Sequence, residues 1–338
     1  MSGRDAIIRA ALDGWGWGDG ELVALPADAS FRRYLRLSAP GLRAIVMDAP
    51  PPAEDVTPFL QVADCLHALG LSAPRILAAD QDRGVLVLED LGDDTFTRLL
   101  DSGADAEQLY TLAVDVLIRI ASAPAETACR DLAPYDSTLL LAETALFVDW
   151  YLPAVTGRPA APGARDAFLA AWQAVLPPAL EVPHGLVLRD FHVDNLMRLS
   201  GRRGVAACGL LDFQDAVMGP LTYDLMSLVE DARRDVPEFL RQRMVARFRD
   251  GVPGFDPTAF ERSFAILAAQ RHCKVIGIFT RLFERDAKPG YLVHIPRVWR
   301  LLARHLENPA LAPVRAWLDA TLPAEARIAP ACARGPAA

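Results

Sequence analysis

The segment Leu188-Arg189-Asp190-Phe191-His192-Val193-Asp194-Asn195 crowds ionisable and amide side chains into a stretch flanked by apolar residues. Downstream, Leu210-Leu211-Asp212-Phe213-Gln214-Asp215 ends an apolar run on another acid. Asp190 and Asn195 stand five positions apart, the spacing of H-R-D-x-x-x-x-N loops. These residue types suit phosphoryl transfer to a hydroxyl. That reaction needs a carboxylate to orient the hydroxyl and accept its proton, and oxygen ligands to hold Mg2+ against the phosphates. Asp190 is the candidate base. Asn195 offers a neutral amide oxygen and Asp212 an anionic one, a candidate metal pair. D-x-x-x-x-N or D-F-Q alone recurs by chance; it is the combination, with a strand between the two, that carries weight.

The elements that must position these residues fall into two regions. Residues 21–26, 30–38 and 43–49 read as strands; in the second, Leu35 and Leu37 alternate with Arg36, the period of a half-buried strand. Residues 56–69 carry apolar side chains at helical spacing, and Gly70 is a suitable stop. Residues 75–79 and 84–91 read as two more strands. After Gly92 the pattern turns helical, over 105–121, 137–151 and 164–180. A polar stretch, 183–199, and a strand, 205–213, interrupt the helices. These resume at 221–234 and 257–283, with more toward the C-terminus. A strand-rich beginning followed by helices predicts an α+β, bilobal architecture rather than an alternating sheet. The expected division is a nucleotide-binding lobe over 1–91, a helical lobe with the catalytic loop and acceptor site over 92–328, and a flexible tail at 329–338. Neither G-x-x-x-x-G-K-[ST] nor G-x-G-x-x-G occurs.

Net charge is −8, which disfavours nucleic acid as a partner. No apolar run reaches the length of a membrane span, and the charged N-terminus lacks a signal-peptide core, so a cytoplasmic protein is expected. No obligate protein partner is inferred. The five cysteines, Cys65, Cys129, Cys208, Cys273 and Cys332, form no CxxC pair and read as thiols rather than a disulfide framework or zinc site. Residues 271–304 carry eight basic against two acidic side chains, a local +6 in an acidic chain. Both lysines of the chain, Lys274 and Lys288, lie there.

The pair RDFHVDN and LLDFQDA resembles the aminoglycoside phosphotransferase and choline kinase group of the protein-kinase-like fold. There, His commonly stands two positions after the catalytic Asp, as His192 follows Asp190. DASFRRYLRL, VMDAPP, LVLEDLGDDTF, GLLDFQDAVMGPLTYDLMSLVEDARRDV and AAQRHCKVIGIFTRL further resemble the anomeric N-acetylmuramate/N-acetylglucosamine kinases of cell-wall recycling. The resemblance implies ATP-dependent phosphorylation of the anomeric hydroxyl of the amino sugar, with Mg2+. It makes Asp190 the base and Asn195 and Asp212 the Mg2+ ligands. Arg189 would lie beside acceptor or phosphates, and His192 would organise the loop. Glu89 to Leu91 would form the adenine connector, and Ser30, Phe31, Arg32 and Arg33 the turn over the phosphates.

Two departures stand out. Leu188 replaces the His of H-R-D, and the third-strand lysine cannot exist, since Met47 or Asp48 occupies its approximate position. The phosphates still need a cation, which Arg32, Arg33 or Arg43 must supply. For the acceptor, the positive segment disfavours the cationic aminoglycosides and choline. Arg271 or Lys274 would read the carboxylate of N-acetylmuramate or the product phosphate, unless the segment is a solvated helix face. Glu143, Asp149 and Trp150 are further candidate sugar contacts. Asp215 would bind a sugar hydroxyl or cap a turn. Other readings are a phosphotransferase for another alcohol (aminoglycoside, choline or homoserine) and a nucleotide-binding pseudokinase regulator.

Overall fold

The computed structural model describes residues 3–26, 32–123, 129 and 131–331. The first elements are α1 (Gly3–Gly14), β1 (Glu21–Ala24), β2 (Arg33–Ala39), β3 (Leu42–Asp48), α2 (Thr57–Ala68), β4 (Ile76–Asp80) and β5 (Val85–Glu89). Next come α3 (Phe96–Asp101), α4 (Ala106–Ala121), α5 (Ser137–Leu146), α6 (Leu152–Thr156) and α7 (Ala164–Val175). Four short strands follow: β6 (His184–Val187), β7 (Leu196–Arg198), β8 (Cys208–Leu210) and β9 (Val217–Pro220). The chain ends in α8 (Thr222–Val229), α9 (Glu238–Gly251), α10 (Pro257–Glu284), α11 (Ile295–Leu306) and α12 (Ala312–Thr321). This is the expected bilobal α+β class. Contacts divide the chain into two compact units that do not follow chain order. One takes in residues to 119 and 193–216 with Cys129; the other takes in 120–123, 131–192 and the described residues from 217 on.

The first unit is built on an antiparallel sheet ordered β1-β2-β3-β5-β4. Its two faces follow from strand alternation. Leu37, Ala44, Val46, Val85 and Val87 point to one face, where Ile8, Ala11 and Leu12 of α1 cover them. Arg4 fastens this helix by ion-pairing Asp48 and bonding the Gly84 carbonyl at 3.2 Å. α1 lies outside the strand pattern read in the first third. Arg36, Arg43, Ile45 and Met47 belong to the opposite face, as the register of β2 on β3 requires. α2 ends where Gly70 takes a left-handed φ of 73°, the stop expected there. One expectation is corrected: Cys65 of α2 and Cys129 are joined as a disulfide, Cα atoms 5.5 Å apart, while Cys208 and Cys273 are buried thiols. The partners are 64 residues apart, so no local spacing announces them. Cys332 and the tail from 332 lie outside the described residues.

In the second unit β6 pairs antiparallel with β9. α5, a π-helical turn at Phe147–Tyr151 and α6 make one helical run, ended by Gly157 at φ 68°. By length and composition this run could cross a membrane. It instead carries the buried Glu143 and packs Phe147 against Phe168 and Trp299. α7 stops at Val175 rather than 180 because Pro177 disfavours helix in the residue before it. The strand expected over 205–213 shrinks to Cys208–Leu210, with a 3-10 turn before it. α10 starts from Asp256, whose side chain accepts from the Ala259 amide at 2.7 Å, with Pro257 at the first helical position.

Candidate active site

In the second unit, β6 delivers Leu188, Arg189 and Asp190. Arg189 adopts a left-handed φ of 68°, a conformation that costs a side chain about 1–3 kcal/mol. Asp224 holds it there. Its carboxylate accepts from the Leu188 amide at 2.6 Å and the Arg189 amide at 2.9 Å. Asp224 is 3% exposed, and burial pushes its carboxyl up to about 7 against the downward pull of those two donors. Its one local signal in the sequence is a lone charge inside a helix, α8, whose residues are all buried. β9 leads directly into that helix, so the β6–β9 pairing fixes the anchor beside the loop it holds.

Asp190 is half-buried at the end of this turn. Burial opposes its charge, but Lys274, His192, Arg271 and Arg189 together hold its carboxyl below the usual range. His192 is buried and stands 3.3 Å from Arg233.

Glu143, a candidate sugar contact, faces inward and is 7% exposed. It ion-pairs Arg189, and accepts from Lys274 Nζ at 2.8 Å and Tyr135 Oη at 2.6 Å, with Gln270 Nε2 at 3.5 Å. Burial raises its carboxyl, yet Lys274 and Arg189 win and hold it below the ordinary range. Lys274 and Gln270 come from α10, and Gly277 lets that helix come so close. A Cβ there would lie 2.6 Å from the Phe147 amide nitrogen. Lys274 is therefore a buried, paired cation rather than part of a solvated helix face. Arg271 is also buried, at 4% exposure, and among the described residues its Nη1 has no partner. The basic residues farther along pair with acids outside the segment, Arg297 and Arg300 with Asp235 and Arg304 with Glu238. Asp149 pairs with Arg165 at the surface, and Trp150 is half-buried.

In the first unit, β7 and β8 form a short hairpin, and the Leu211 amide bonds the Asn195 carbonyl at 2.9 Å. The hairpin explains how Asn195 and Asp212, 17 residues apart, meet with Asn195 Nδ2 3.5 Å from Asp212 Oδ2. Asp212 has φ 56°, a left-handed conformation that Asp tolerates better than most residues. Gln214, in place of a glycine, donates to Asp212 Oδ1 at 3.0 Å and fixes the carboxylate. Phe213 stacks on Phe59 of α2, ring centroids 4.8 Å apart, and Asp194 bonds Thr97. An amide oxygen and a carboxylate side by side fit a hard divalent cation. Asp215 is exposed, with Oδ2 3.5 Å from Gln214 Nε2.

The candidate nucleotide residues separate by sheet face. Arg33 turns to the α1 face, bonded to Asp48 at 2.7 Å and to Asp5 at 3.3 Å. Met47 is fully buried on the other face. Arg32 pairs with Glu54, just ahead of α2, at 3.4 Å. Arg43 pairs with Asp90 at 2.7 Å, and Arg36, which the sequence did not single out, joins Asp90 and Asp93. Glu89 ends β5, held by Arg202 at 2.6 Å and Arg75 at 3.3 Å. Leu91 lies against Gly209 of β8. Ser30 and Phe31 lie outside the described residues.

Comparison with known proteins gives this arrangement its context. Residues 21–260 match the sequence model of the phosphotransferase enzyme family, APH. An N-acetylmuramate/N-acetylglucosamine kinase from Caulobacter vibrioides is 37% identical over 96% of this chain and 99% of its own. One of the same name from Pseudomonas aeruginosa is 39% identical over 85% of each chain. Among solved structures, choline kinase LicA from Streptococcus pneumoniae superposes with a TM-score of 0.64 at 13% identity, covering 91% of this chain and all of its own. An ADP-bound aminoglycoside phosphotransferase gives 0.61 at 15% identity, covering 89% and 99%. The two solved structures share the fold, and the family match takes in the Asp190 loop and the Asn195–Asp212 hairpin alike: the chain belongs to the phosphotransferase enzyme family.

Proposed function

We propose that this chain transfers a phosphoryl group from ATP to the anomeric hydroxyl of N-acetylmuramate and N-acetylglucosamine, in the cytoplasm, during peptidoglycan recycling. The observation that carries the choice of substrate is the likeness, at 37% identity across 96% of the chain, to a kinase named for these two sugars. The charge around Asp190 supports the same reading. Arg189, Lys274 and Arg271 make a setting that repels polycationic acceptors and tolerates acidic ones.

Asp190 orients the sugar hydroxyl and accepts its proton. Its carboxyl is held below the ordinary range, so it is a weak base. That suffices here for two reasons: a loose phosphoryl-transfer transition state demands little proton abstraction, and an anomeric hydroxyl is more acidic than an ordinary alcohol. Asp224 fixes the backbone from which Asp190 projects. Arg189, braced by Glu143, adds positive charge near the acceptor without being free to swing away. Asn195 and Asp212 would hold Mg2+, with Gln214 keeping the Asp212 carboxylate in register. MgATP, when bound, supplies the transferable group with part of its charge already neutralised.

For the missing lysine, Arg32 is the best replacement of the three arginines. Arg33 is occupied by Asp48 on the α1 face, and Arg43 by Asp90 at the connector. Arg32 instead pairs with Glu54, an acid in the loop ahead of α2, at 3.4 Å. The adenine would lie along Glu89 to Leu91, and Ser30 and Phe31 would belong to the phosphate turn. Residues 1–91 then serve the nucleotide, and 92–328 serve catalysis and the acceptor. Asp215 would meet a sugar hydroxyl.

The test is incubation with MgATP and a panel of sugars and amino alcohols. ADP release with an acid-labile sugar phosphate is expected from the two amino sugars and not from aminoglycosides or choline, and chelation of Mg2+ should abolish it. ADP release with choline or an aminoglycoside alone would refute the proposal.

A further inference from the structure

Three cations surround Asp190 from within its own unit, and they are not equivalent. Arg189 and Lys274 share the carboxylate of Glu143 and are thereby held in place. Arg271 has no such acceptor. It lies one turn before Lys274 on α10, is 4% exposed, and its buried Nη1 has no hydrogen-bond partner among the described residues. On α10 it neighbours Lys274, whose partner Glu143 also holds Arg189 of the catalytic loop, and among the described residues it forms no ion pair with Asp190 or Asp224. A guanidinium held out of water without a partner is costly. Its planar donor fork matches a carboxylate.

We propose that Arg271 receives the lactyl carboxylate of N-acetylmuramate and so sets the preference of this enzyme for acidic over neutral amino sugars. This deepens the proposed function and rests on it. Lys274, already bound by Glu143, is a positioning residue, and the discrimination belongs to Arg271. On N-acetylglucosamine Nη1 gains no carboxylate partner, so its desolvation cost is offset only by the acidic sugar. Both sugars offer the same anomeric hydroxyl to Asp190, so the difference between them reports on Arg271 and not on the chemistry.

The experiment compares kcat/KM for N-acetylmuramate, its neutral methyl ester and N-acetylglucosamine, in the wild type and in Arg271→Met and Arg271→Lys. In the wild type the ester should lose roughly tenfold to a hundredfold against the acid, the worth of one hydrogen bond to a charged group. In Arg271→Met the ratio of acid to N-acetylglucosamine should fall by a similar factor, whatever loss the two sugars share. Acid and ester should then become equal, and Arg271→Lys should restore part of the ratio. The wild-type comparison of acid with ester needs no variant to fold. Equal use of acid and ester by the wild type, or a ratio unmoved by Arg271→Met, overturns the assignment while leaving the sugar kinase standing. Turnover of none of the three sugars by the wild type overturns both.

Discussion

Glu143 and Lys274 face each other at 2.8 Å, both almost wholly removed from solvent, although 131 residues separate them in the chain. The pair does more than fill space. Glu143 also holds Arg189, so one carboxylate braces two cations, and the trio keeps a net charge of about +1. Replacing Glu143 by Ala strips both at once. Removal of one partner of a buried pair costs about 3–5 kcal/mol, because the charge left behind is uncompensated. Glu143→Ala should therefore lower unfolding free energy by about that much in a denaturant titration. Glu143→Gln, which keeps the shape, should fold better but turn over slowly because Arg189 is no longer braced. A loss under about 1 kcal/mol for the Ala variant, the range of a surface pair, would contradict the buried hub.

Asp190→Asn removes the proposed proton acceptor and leaves its cationic surroundings in place. Transfer should fall roughly a hundredfold to ten-thousandfold, the usual contribution of a general base. Binding of ATP, measured by calorimetry without sugar, should change little, because Asn195, Asp212 and the sheet residues are untouched. Loss of nucleotide binding in parallel with turnover would show that Asp190 has a different task.

Arg32 and Glu54 make a prediction that separates the three arginines. Arg32→Ala should weaken ATP binding roughly tenfold to a hundredfold, the worth of one charge-assisted contact. Glu54→Gln should weaken it less, since the cation remains but is no longer held. Arg33→Ala should instead cost stability through Asp48, with ATP affinity nearly unchanged. Equal ATP affinity in wild type and Arg32→Ala would assign the phosphates to another cation.

The buried cluster of Glu230, His272 and His305 predicts a pH dependence of stability. Glu230 accepts from His272 at 2.9 Å and from His305 at 2.8 Å, with Arg241 at 3.7 Å and Arg271 beside His272 in sequence. Burial drives His272 down to about 4, against the pull of Glu230. The unfolded chain takes up a proton near 6.5, whereas the folded chain waits until about 4. Between those values the unfolded state binds more protons, so stability falls as pH falls across that window, by about 3 kcal/mol. Asp224 acts with the opposite sign, since its folded carboxyl is raised to about 7 and its stabilisation is lost as pH rises. The wild-type curve mixes the two, but the difference between wild type and His272→Gln isolates the histidine. That difference should shift in favour of the wild type from pH 4 to 6.5, and a flat difference would mean that His272 is already protonated when folded.

The approach of Asn195 to Asp212 was legible in the sequence because their spacing reflects local geometry, a short hairpin between them. The strands and long helices were legible for the same reason, through their periods of two and of 3.6. What escaped depends on partners far apart in the chain. Asp224 anchors Leu188 from 36 positions away and no local pattern marks it. Glu143 reads as a candidate sugar contact until Gly277 brings α10 against it and Lys274 and Arg189 claim its carboxylate. Arg32 and Arg33 are neighbours of identical chemistry, and only the alternation of β2 and the cover of α1 send them to different acids. The positive segment read as a single feature, but the fold breaks it up: Arg297, Arg300 and Arg304 pair with Asp235 and Glu238, Lys274 with Glu143, and Arg271 stays apart. Cys65 and Cys129 were missed on the same ground of sequence distance.

The most direct test of the central claim is the position of the new phosphate. The product from N-acetylmuramate and MgATP should give a phosphorus NMR signal coupled to the single anomeric proton, and mild acid should release the phosphate. A signal coupled instead to the two exocyclic methylene protons, or a product stable to mild acid, would contradict anomeric transfer.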